Sequence, residues 1–351
     1  MISLFIFFIK GNKVTLNILL ISGLYIAYLA LCTIFIHDSE IIDVVKQGMI
    51  IVLLFYFVRI YPIQEYKKLS LFFIVGMLLS SFIALFADYI PNFYEFVRRV
   101  GYNTEIKNRF TGLNGDPNYY SVNIILAFGL LISLYYKKDI SKLLFWGIFV
   151  ALSIFGLLTY SKSFLLMYAI VCLIVLVLTV KTKDVIGFGV LVVLGAGVLA
   201  LAFIEGSVVQ LTIKRLLEAD DLDALTTHRS TLWKKYVQYL LDNPTVLFFG
   251  AGITITGPVS HGIEKFGSHN AYIDIIFRLG VFGTIIFIGA IIVCFMEIKK
   301  NKKTPLNFLG ITLGAIMYFF LGMLTAYELI FQFFLAYLIF SIDFHKSFAN
   351  K

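Results

Sequence analysis

Apolar runs of about 17–25 residues recur along the whole chain and are separated by short polar segments. Each run is long enough to cross the hydrocarbon core of a bilayer as a helix, which satisfies the backbone polar groups within one segment. About ten spans are predicted, at roughly 14–36, 45–61, 69–88, 119–136, 143–159, 163–180, 185–205, 275–297, 305–325 and 328–343. The pattern therefore predicts an all-α, polytopic membrane helix bundle that forms one integral membrane domain over residues 1–351.

The composition excludes an ordinary soluble protein. Of 351 residues, 60% are hydrophobic and 14% are charged, and the mean hydropathy is +0.92. Soluble domains average about 45–50% apolar and about 25% charged residues. In a membrane protein the net charge of +8 reflects cations at the ends of spans, so we expect no nucleic-acid partner. The three cysteines lie inside apolar runs and predict neither a disulfide framework nor a metal site.

The distribution of lysine and arginine predicts the orientation in the membrane. With the N-terminus in the cytoplasm, the inner segments hold about 16 of these cations, whereas the short outer loops hold only Lys46 and Lys162. An even number of spans then places both termini in the cytoplasm.

Two longer segments fall on the predicted outer side, at about 89–118 and 206–270. Long loops without structure are uncommon unless they are functional. In the second segment, "VVQLTIKRLLEA" and "TLWKKYVQYLLDN" have helical apolar spacing, which predicts helices on or near the membrane surface. Residues 206–270 are therefore predicted to form a large helical extracytoplasmic loop that bears catalytic elements.

Common catalytic motifs are missing from the sequence. It contains no glycine-rich phosphate loop after a strand, no CxxC, no HExxH and no recognisable Ser-His-Asp order. The acidic run at 218–225 is interpreted as a solvated turn or helix start. We accordingly expect neither a metal nor another cofactor.

The candidates for chemistry are a set of cations and one imidazole on the predicted outer side. The cations are Arg109, Lys162, Arg215, Arg229 and Arg278. The imidazole belongs to His269, and Asn118 and Asn270 stand at predicted helix entrances as candidate N-caps. Taken singly, each cation has a simpler explanation as a loop cap, a partner of a loop carboxylate or an interfacial anchor, and a lone histidine is more often interfacial than catalytic.

Taken together, these cations suit a lipid-linked phosphate or diphosphate, because guanidinium groups bind phosphoryl oxygens in a bidentate manner. Histidine is the side chain best suited to accept a hydroxyl proton near neutral pH. Cations on a diphosphate beside such a base would form a glycosyl-transfer site whose leaving group is a lipid diphosphate. No metal is needed if arginine and lysine stabilise the departing charge.

Four motifs resemble those of the O-antigen ligase and polymerase-like membrane proteins. In chain order they are "RFTGLNGDPNYYS", "TYSKS", "HRSTLWKKYVQYLLDNPTVLFFGAGI" and "SHNAYIDIIFRLGVFG". Their order and their placement around a large outer loop match that family over roughly residues 85–290. The resemblance implies a helical fold related to the C-type glycosyltransferases (GT-C-like), undecaprenyl-diphosphate-linked sugars as substrates, and no metal.

The resemblance also implies roles for individual residues. Arg229, in an Arg-x-x-x-Trp element, resembles the loop arginine implied to bind the donor diphosphate, and His269 resembles the histidine implied to activate the acceptor hydroxyl. Lys162 stands where the family usually has an arginine, so the charge is kept but the bidentate fork is lost. The residues expected to bind substrate are Arg109, Lys162, Arg278, Arg215, Asn270 and Asn118.

The leading function is a polymerase that joins undecaprenyl-diphosphate-linked repeat units of a surface polysaccharide (capsule, exopolysaccharide or O-antigen) on the outer face of the bacterial cytoplasmic membrane. The alternatives are a ligase that transfers glycan to a terminal acceptor, a flippase for lipid-linked oligosaccharide, and a membrane protein with a structural or sensing role. A flippase should carry ionisable residues along a path through the membrane, whereas here they cluster on one face. The expected partners are the lipid-linked oligosaccharide and membrane lipid, with a flippase and a chain-length regulator as candidate protein partners.

Overall fold

Helices make up nearly all of the chain that the computed structural model describes, namely residues 13–36, 41–42, 44–45, 66–86, 109–114, 116–217, 229–252, 268 and 270–300. In chain order the helices are α1 (Lys13–Phe35), α2 (Tyr66–Leu85), α3 (Pro117–Tyr136), α4 (Lys142–Leu157), α5 (Lys162–Thr182), α6 (Val185–Phe203), α7 (Val208–Leu217), α8 (Arg229–Asp242), α9 (Pro244–Phe249) and α10 (Ala271–Lys300). For the residues that the structure describes, the all-α prediction is confirmed, and α7 and α8 lie where the loop patterns predict helices.

Seven of the predicted spans coincide with helices, which are α1 to α6 and α10. Segments of α3, α5, α6 and α10 are long and apolar enough to cross a membrane, and α1, α2 and α4 carry shorter apolar stretches. The chain is therefore an integral membrane protein. The predicted spans 45–61, 305–325 and 328–343 lie almost entirely outside the described residues, so the count of ten stays a prediction.

One group of helices packs around α3. Helix α3 is buried between α2, α4 and α5. Burial on several sides is expected for a helix that has no continuous polar face. The ring of Phe128 packs against that of Phe149 of α4 with centroids 4.9 Å apart. The hydroxyl of Tyr168 of α5 donates to Ser153 Oγ of α4 at 2.9 Å, so these two polar groups bond to each other within the core.

Polar caps fix where the spans of this group begin. The residues that cap α3, α4, α5 and α6 are Asp116, Ser141, Ser161 and Asp184, and each side chain accepts hydrogen bonds from backbone N–H groups in the first helical turn. Successive helices run antiparallel, so α3 and α5 begin at the end of the bundle where α4 finishes. We call this the upper end. There Phe110 N donates to Leu158 O at 3.1 Å.

A second group consists of α1, α8 and α9 packed on α10. One contact joins α1 to α10 through Tyr25, Leu29, Ile275, Leu279 and Phe287. Another joins α8 and the residues after α9 to the first half of α10 through Tyr236, Leu240, Ala251 and Phe277. The first half of α10, which follows the "SHN" motif, is therefore held on more than one side.

The helix α10 is interrupted at Gly280, whose φ of 65° and ψ of 178° are not helical. The interruption frees backbone carbonyls that must find other donors in a dry environment. Ala251 N donates to Phe277 O at 2.7 Å, and Gly252 N donates to Arg278 O at 3.1 Å. The hydroxyl of Tyr28, from α1, reaches Leu279 O at 2.6 Å. The break is therefore satisfied by protein groups, which lock α1 and the end of α9 to the middle of α10.

Candidate active site

Arg109 is buried at the upper end and ties three segments together. Its Nε donates to Thr159 O at 2.8 Å, in the turn between α4 and α5, and its Nη2 donates to Asn118 Oδ1 at 3.2 Å. Ser161 Oγ donates to the same Asn118 oxygen at 3.2 Å. The structure thus joins the first two sequence motifs, "RFTGLNGDPNYYS" and "TYSKS", into one polar cluster.

The start of α3 explains the position of Asn118, and it corrects one prediction. The N-cap is Asp116, whose Oδ1 accepts from the N–H groups of Asn118 and Tyr119 at 2.7 and 3.1 Å. Pro117 occupies the first helical position, where its missing N–H costs nothing. The prediction that Asn118 caps this helix is therefore wrong. Its amide lies in the first turn and is left to accept from Arg109 and Ser161.

Lys162 is the first residue of α5 and is half-buried. The preceding Ser161 caps the helix by accepting from Phe164 N at 3.3 Å. Tyr160 supplies the sharp turn with a φ of 51°. The upper end thus combines the buried cation of Arg109, the charge of Lys162 and the positive end of the α5 dipole, which a neutral serine caps. The carboxylate of Asp116 offsets the positive end of α3. Chemically, such a surface favours an anion.

A second cluster joins α8 to the start of α10. Arg229 is the first residue of α8 and is half-buried, and Trp233 follows one turn later on the same helical face. Trp233 Nε1 donates to Ser268 O at 2.9 Å. The "HRSTLWKKY" and "SHNAYIDIIFRLG" motifs are therefore in direct contact, although 35 residues separate the two bonded residues.

Asn270 caps α10, as predicted. Its Oδ1 accepts from Tyr272 N at 3.0 Å and from Ile273 N at 3.3 Å. Ser268, which is completely buried, donates from Oγ to Asn270 O at 2.9 Å and accepts from Asn270 N at 3.2 Å. The turn before α10 is thus held by its own polar groups. Its middle residue, His269, lies outside the described residues.

Arg278 is buried two turns into α10, and its Nε donates to Asp274 Oδ2 at 2.9 Å. Both residues belong to the interior of the bundle rather than to an exposed helix end. Arg278 was predicted to bind substrate, and no role was predicted for Asp274. The four-residue spacing from acid to base was the available signal for this pair.

Apart from Arg278, which pairs with Asp274 inside α10, the predicted site residues that the structure describes fall into two clusters. Arg109, Asn118 and the turn before Lys162 form the first cluster, and Arg229 lies on the helix whose Trp233 bonds the turn at Asn270 in the second. His269 and the side chain of Arg215 lie outside what the structure describes. The roles proposed for all these residues in binding or catalysis stay predictions.

Three contributors to these clusters were not predicted from the sequence. They are the carbonyl of Thr159, the hydroxyl of Ser161 and the indole of Trp233. Ser161 could have been found from its place directly before a predicted span, which is typical of an N-cap. The other two act through contacts between distant segments, for which the local pattern holds no signal.

Comparison with known proteins gives a match that covers part of these two clusters. Residues 147–288 match a family model described as O-antigen ligase. The matched region runs from α4 into α10 and contains the "TYSKS", "HRSTLWKKY" and "SHN" motifs. No curated protein and no solved structure gives a significant match.

Proposed function

We propose that this chain, a member of the O-antigen ligase and polymerase-like membrane enzymes, is a polymerase for a surface polysaccharide. It would join undecaprenyl-diphosphate-linked repeat units of a capsule, exopolysaccharide or O-antigen on the outer face of the bacterial cytoplasmic membrane. The observation that carries the proposal is the hydrogen bond from Trp233 Nε1 to Ser268 O. It links the helix of Arg229 to Ser268, the residue that precedes His269 in the sequence, and this contact supports the proposal that Arg229 and His269 act on one substrate.

In the proposed reaction His269 accepts the proton of a sugar hydroxyl on the acceptor. The hydroxyl oxygen attacks the anomeric carbon of the donor, and the bond from that carbon to the diphosphate oxygen breaks. Undecaprenyl diphosphate leaves with the electron pair of that bond. Arg229 binds the diphosphate and stabilises the negative charge that develops on it as the bond breaks. Electrostatic stabilisation of this kind is usually the largest single contribution to catalysis.

The cations of the upper end would support the same step. Arg109, Lys162 and the start of α5 would favour an anionic group, because their positive charge exceeds the negative charge of the Asp116 carboxylate at the start of α3. Arg215, the remaining predicted cation, lies on α7, which directly follows α6. With arginine and lysine neutralising the leaving group, the proposal includes no metal. We therefore expect polymerisation to continue in the presence of a chelator such as EDTA.

A ligase is the second candidate, and the description of the matching family model favours it. A ligase would use the same donor and the same base but would transfer a finished glycan to a terminal acceptor. The nature of the acceptor distinguishes the two enzymes.

Gel analysis of surface glycan from a deletion strain tests the proposal. A polymerase deletion retains only single repeat units, with lipid-linked units on the outer face, and the wild-type gene restores long chains. A ligase deletion leaves polymer on the lipid carrier, and a flippase deletion leaves single units on the inner face. His269→Ala and Arg229→Ala should insert normally into the membrane yet fail to restore polymer. Normal polymer in both variants would refute the assignment.

A further inference from the structure

We propose that Trp233 is a positioning residue, which sets the peptide unit between Ser268 and His269 relative to Arg229. This inference rests on the proposed function, because it assigns the base to His269 and the diphosphate contact to Arg229. It adds Trp233 to these two residues, in a role that requires no contact with sugar or phosphate.

The hydrogen bond from Trp233 acts on a backbone atom next to the proposed base. Nε1 donates to Ser268 O at 2.9 Å, and that oxygen belongs to the peptide unit whose other end is the N and Cα of residue 269. Because the six atoms of a peptide unit lie close to one plane, a donor that fixes the oxygen also restrains the direction in which the next residue leaves. Through this bond to the preceding residue, Ser268, Trp233 is proposed to act on the base by way of the backbone.

The acceptor side of this contact is rigid. Ser268 is completely buried, and its hydroxyl bonds both the N and the O of Asn270. Asn270 in turn caps α10 through Tyr272 N and Ile273 N. The carbonyl that Trp233 reaches is thus fixed to the helix.

The donor side is also held in place. One turn after Trp233, the buried ring of Tyr236 packs edge-to-face against Phe277 of α10 with centroids 5.1 Å apart. Helix α8 is therefore held by a ring contact with α10 and by the bond from the indole N–H to Ser268, which precedes α10. Arg229 lies four residues before Trp233 on the same face, where Cβ atoms are about 5–6 Å apart. The indole thus connects the helix of Arg229 to Ser268, the residue before the proposed base.

Loss of a positioning contact should reduce kcat more than it raises KM for the donor. The cations that bind the diphosphate remain, whereas the imidazole is displaced from the acceptor hydroxyl. A displacement of about 1 Å lowers the rate by about 100-fold.

Two substitutions separate the hydrogen bond from the packing of the ring. Trp233→Phe keeps an aromatic ring without a donor. Trp233→His keeps a donor, because Nε2 of histidine occupies the same place in its five-membered ring as Nε1 of tryptophan, but it loses the benzo ring. Assays at pH 8 keep most of this imidazole neutral, since its ordinary pKa is about 6.5. Trp146→Phe is the matched control, because Trp146 is buried in α4 and its Nε1 has no hydrogen-bond partner among the described residues.

The experiment measures kcat and donor KM for protein in vesicles that contain undecaprenyl-diphosphate-linked repeat units. We expect Trp233→Phe to lower kcat about 10–100-fold with donor KM within about twofold, Trp233→His to recover most of the loss, and Trp146→Phe to match wild type. A kcat for Trp233→Phe equal to that of Trp146→Phe overturns the inference, as does a higher kcat for Phe than for His at position 233, which would indicate packing alone. His269→Ala is assayed in parallel: if it keeps wild-type kcat the proposed function fails, whereas an inactive His269→Ala beside a normal Trp233→Phe rejects only the role of Trp233.

Discussion

The carboxylate of Asp274 accepts a hydrogen bond from Arg278 Nε at 2.9 Å, and both side chains are buried in the first half of α10. An acid four residues before a base is the favourable order on a helix, and the acid lies in the first turn, near the positive end of the dipole. This pair explains how an apolar span that opens with a polar turn can hold an arginine two turns further in.

Removing one member of the pair should destabilise the protein. Asp274→Leu leaves the buried guanidinium of Arg278 without its carboxylate, at a cost of about 3–5 kcal/mol in the free energy of unfolding. We expect the melting temperature in detergent to fall accordingly. An unchanged melting temperature would contradict a stabilising role for the pair.

The double variant Asp274→Leu with Arg278→Met is the matched control, because apolar residues of similar volume often replace a buried ion pair without loss. We expect its melting temperature to return toward the wild-type value. Its donor KM also tests the predicted contact of Arg278 with substrate. That prediction requires a raised KM in a protein of normal stability.

Gly280 is expected to tolerate no side chain. A Cβ there would lie 2.4 Å from Phe248 O and 2.5 Å from Gly250 N, and its φ of 65° disfavours other residues. Gly280→Ala should therefore cost about 4 kcal/mol or more, which is exceptional for one methyl group. Thermal unfolding checks this.

Gly76→Ala in α2 is the control for that experiment, since a Cβ there meets nothing within 4 Å. Alanine in a helix interior gains about 0.5–1 kcal/mol over glycine. Similar melting temperatures for the two variants would mean that the break in α10 is not closed by the backbone contact with Gly250.

Lys162 offers a test of the cations at the upper end. Lys162→Met should raise donor KM at least about tenfold, because it removes a charge at the start of α5. Lys162→Arg should keep activity and lower KM, since the guanidinium adds a bidentate fork. Lys138→Met, in the exposed turn at the opposite end of the bundle, should change neither. Equal KM values for the methionine variants at 138 and 162 would exclude a substrate contact for Lys162.

Asp184 should make stability depend on pH. Burial alone would raise the pKa of this carboxyl, but bonds from Lys142, from Gly187 N–H at 2.9 Å and from the Tyr135 hydroxyl at 3.0 Å outweigh burial and hold the pKa below its ordinary value. A depressed pKa contributes stability above the unfolded pKa of about 3.9 and loses it as the pH falls through the folded pKa.

We therefore expect Asp184→Asn to cost about 1–3 kcal/mol at neutral pH. The cost should begin to shrink as the pH falls below the unfolded pKa of about 3.9. It should vanish only below the lower pKa of the folded state, where the wild-type carboxyl is also neutral. Melting curves of both proteins between pH 3 and 7 provide the measurement. A difference that stays constant over this range would show that the ionised carboxylate is not the source of the stability.

The sequence predicts the helices of this protein better than it predicts their contacts. Apolar runs located α1 to α6 and α10 because a span must be apolar over its whole length. The prediction of the N-cap failed at "DPN", where two capping residues flank a proline. The preference of proline for the first helical position would have selected Asp116.

Contacts between distant segments could not be predicted from the sequence. A single glycine at position 280 inside an apolar run gives no sign that α10 is broken, because the break depends on close approach to Gly250, 30 residues earlier. In the same way, the partner of Trp233 is a backbone carbonyl, which any residue type could supply. The residue types of the candidate site could be predicted, whereas the contacts that organise them could not.

The most direct test of the central claim is a reaction with purified components. The protein in metal-free vesicles is given undecaprenyl-diphosphate-linked repeat units, and the lipid products are identified by mass spectrometry. We predict that wild type yields lipid-linked oligosaccharides of two or more repeats together with free undecaprenyl diphosphate, and that His269→Ala yields neither. Formation of the same products by His269→Ala at the wild-type rate would contradict the account.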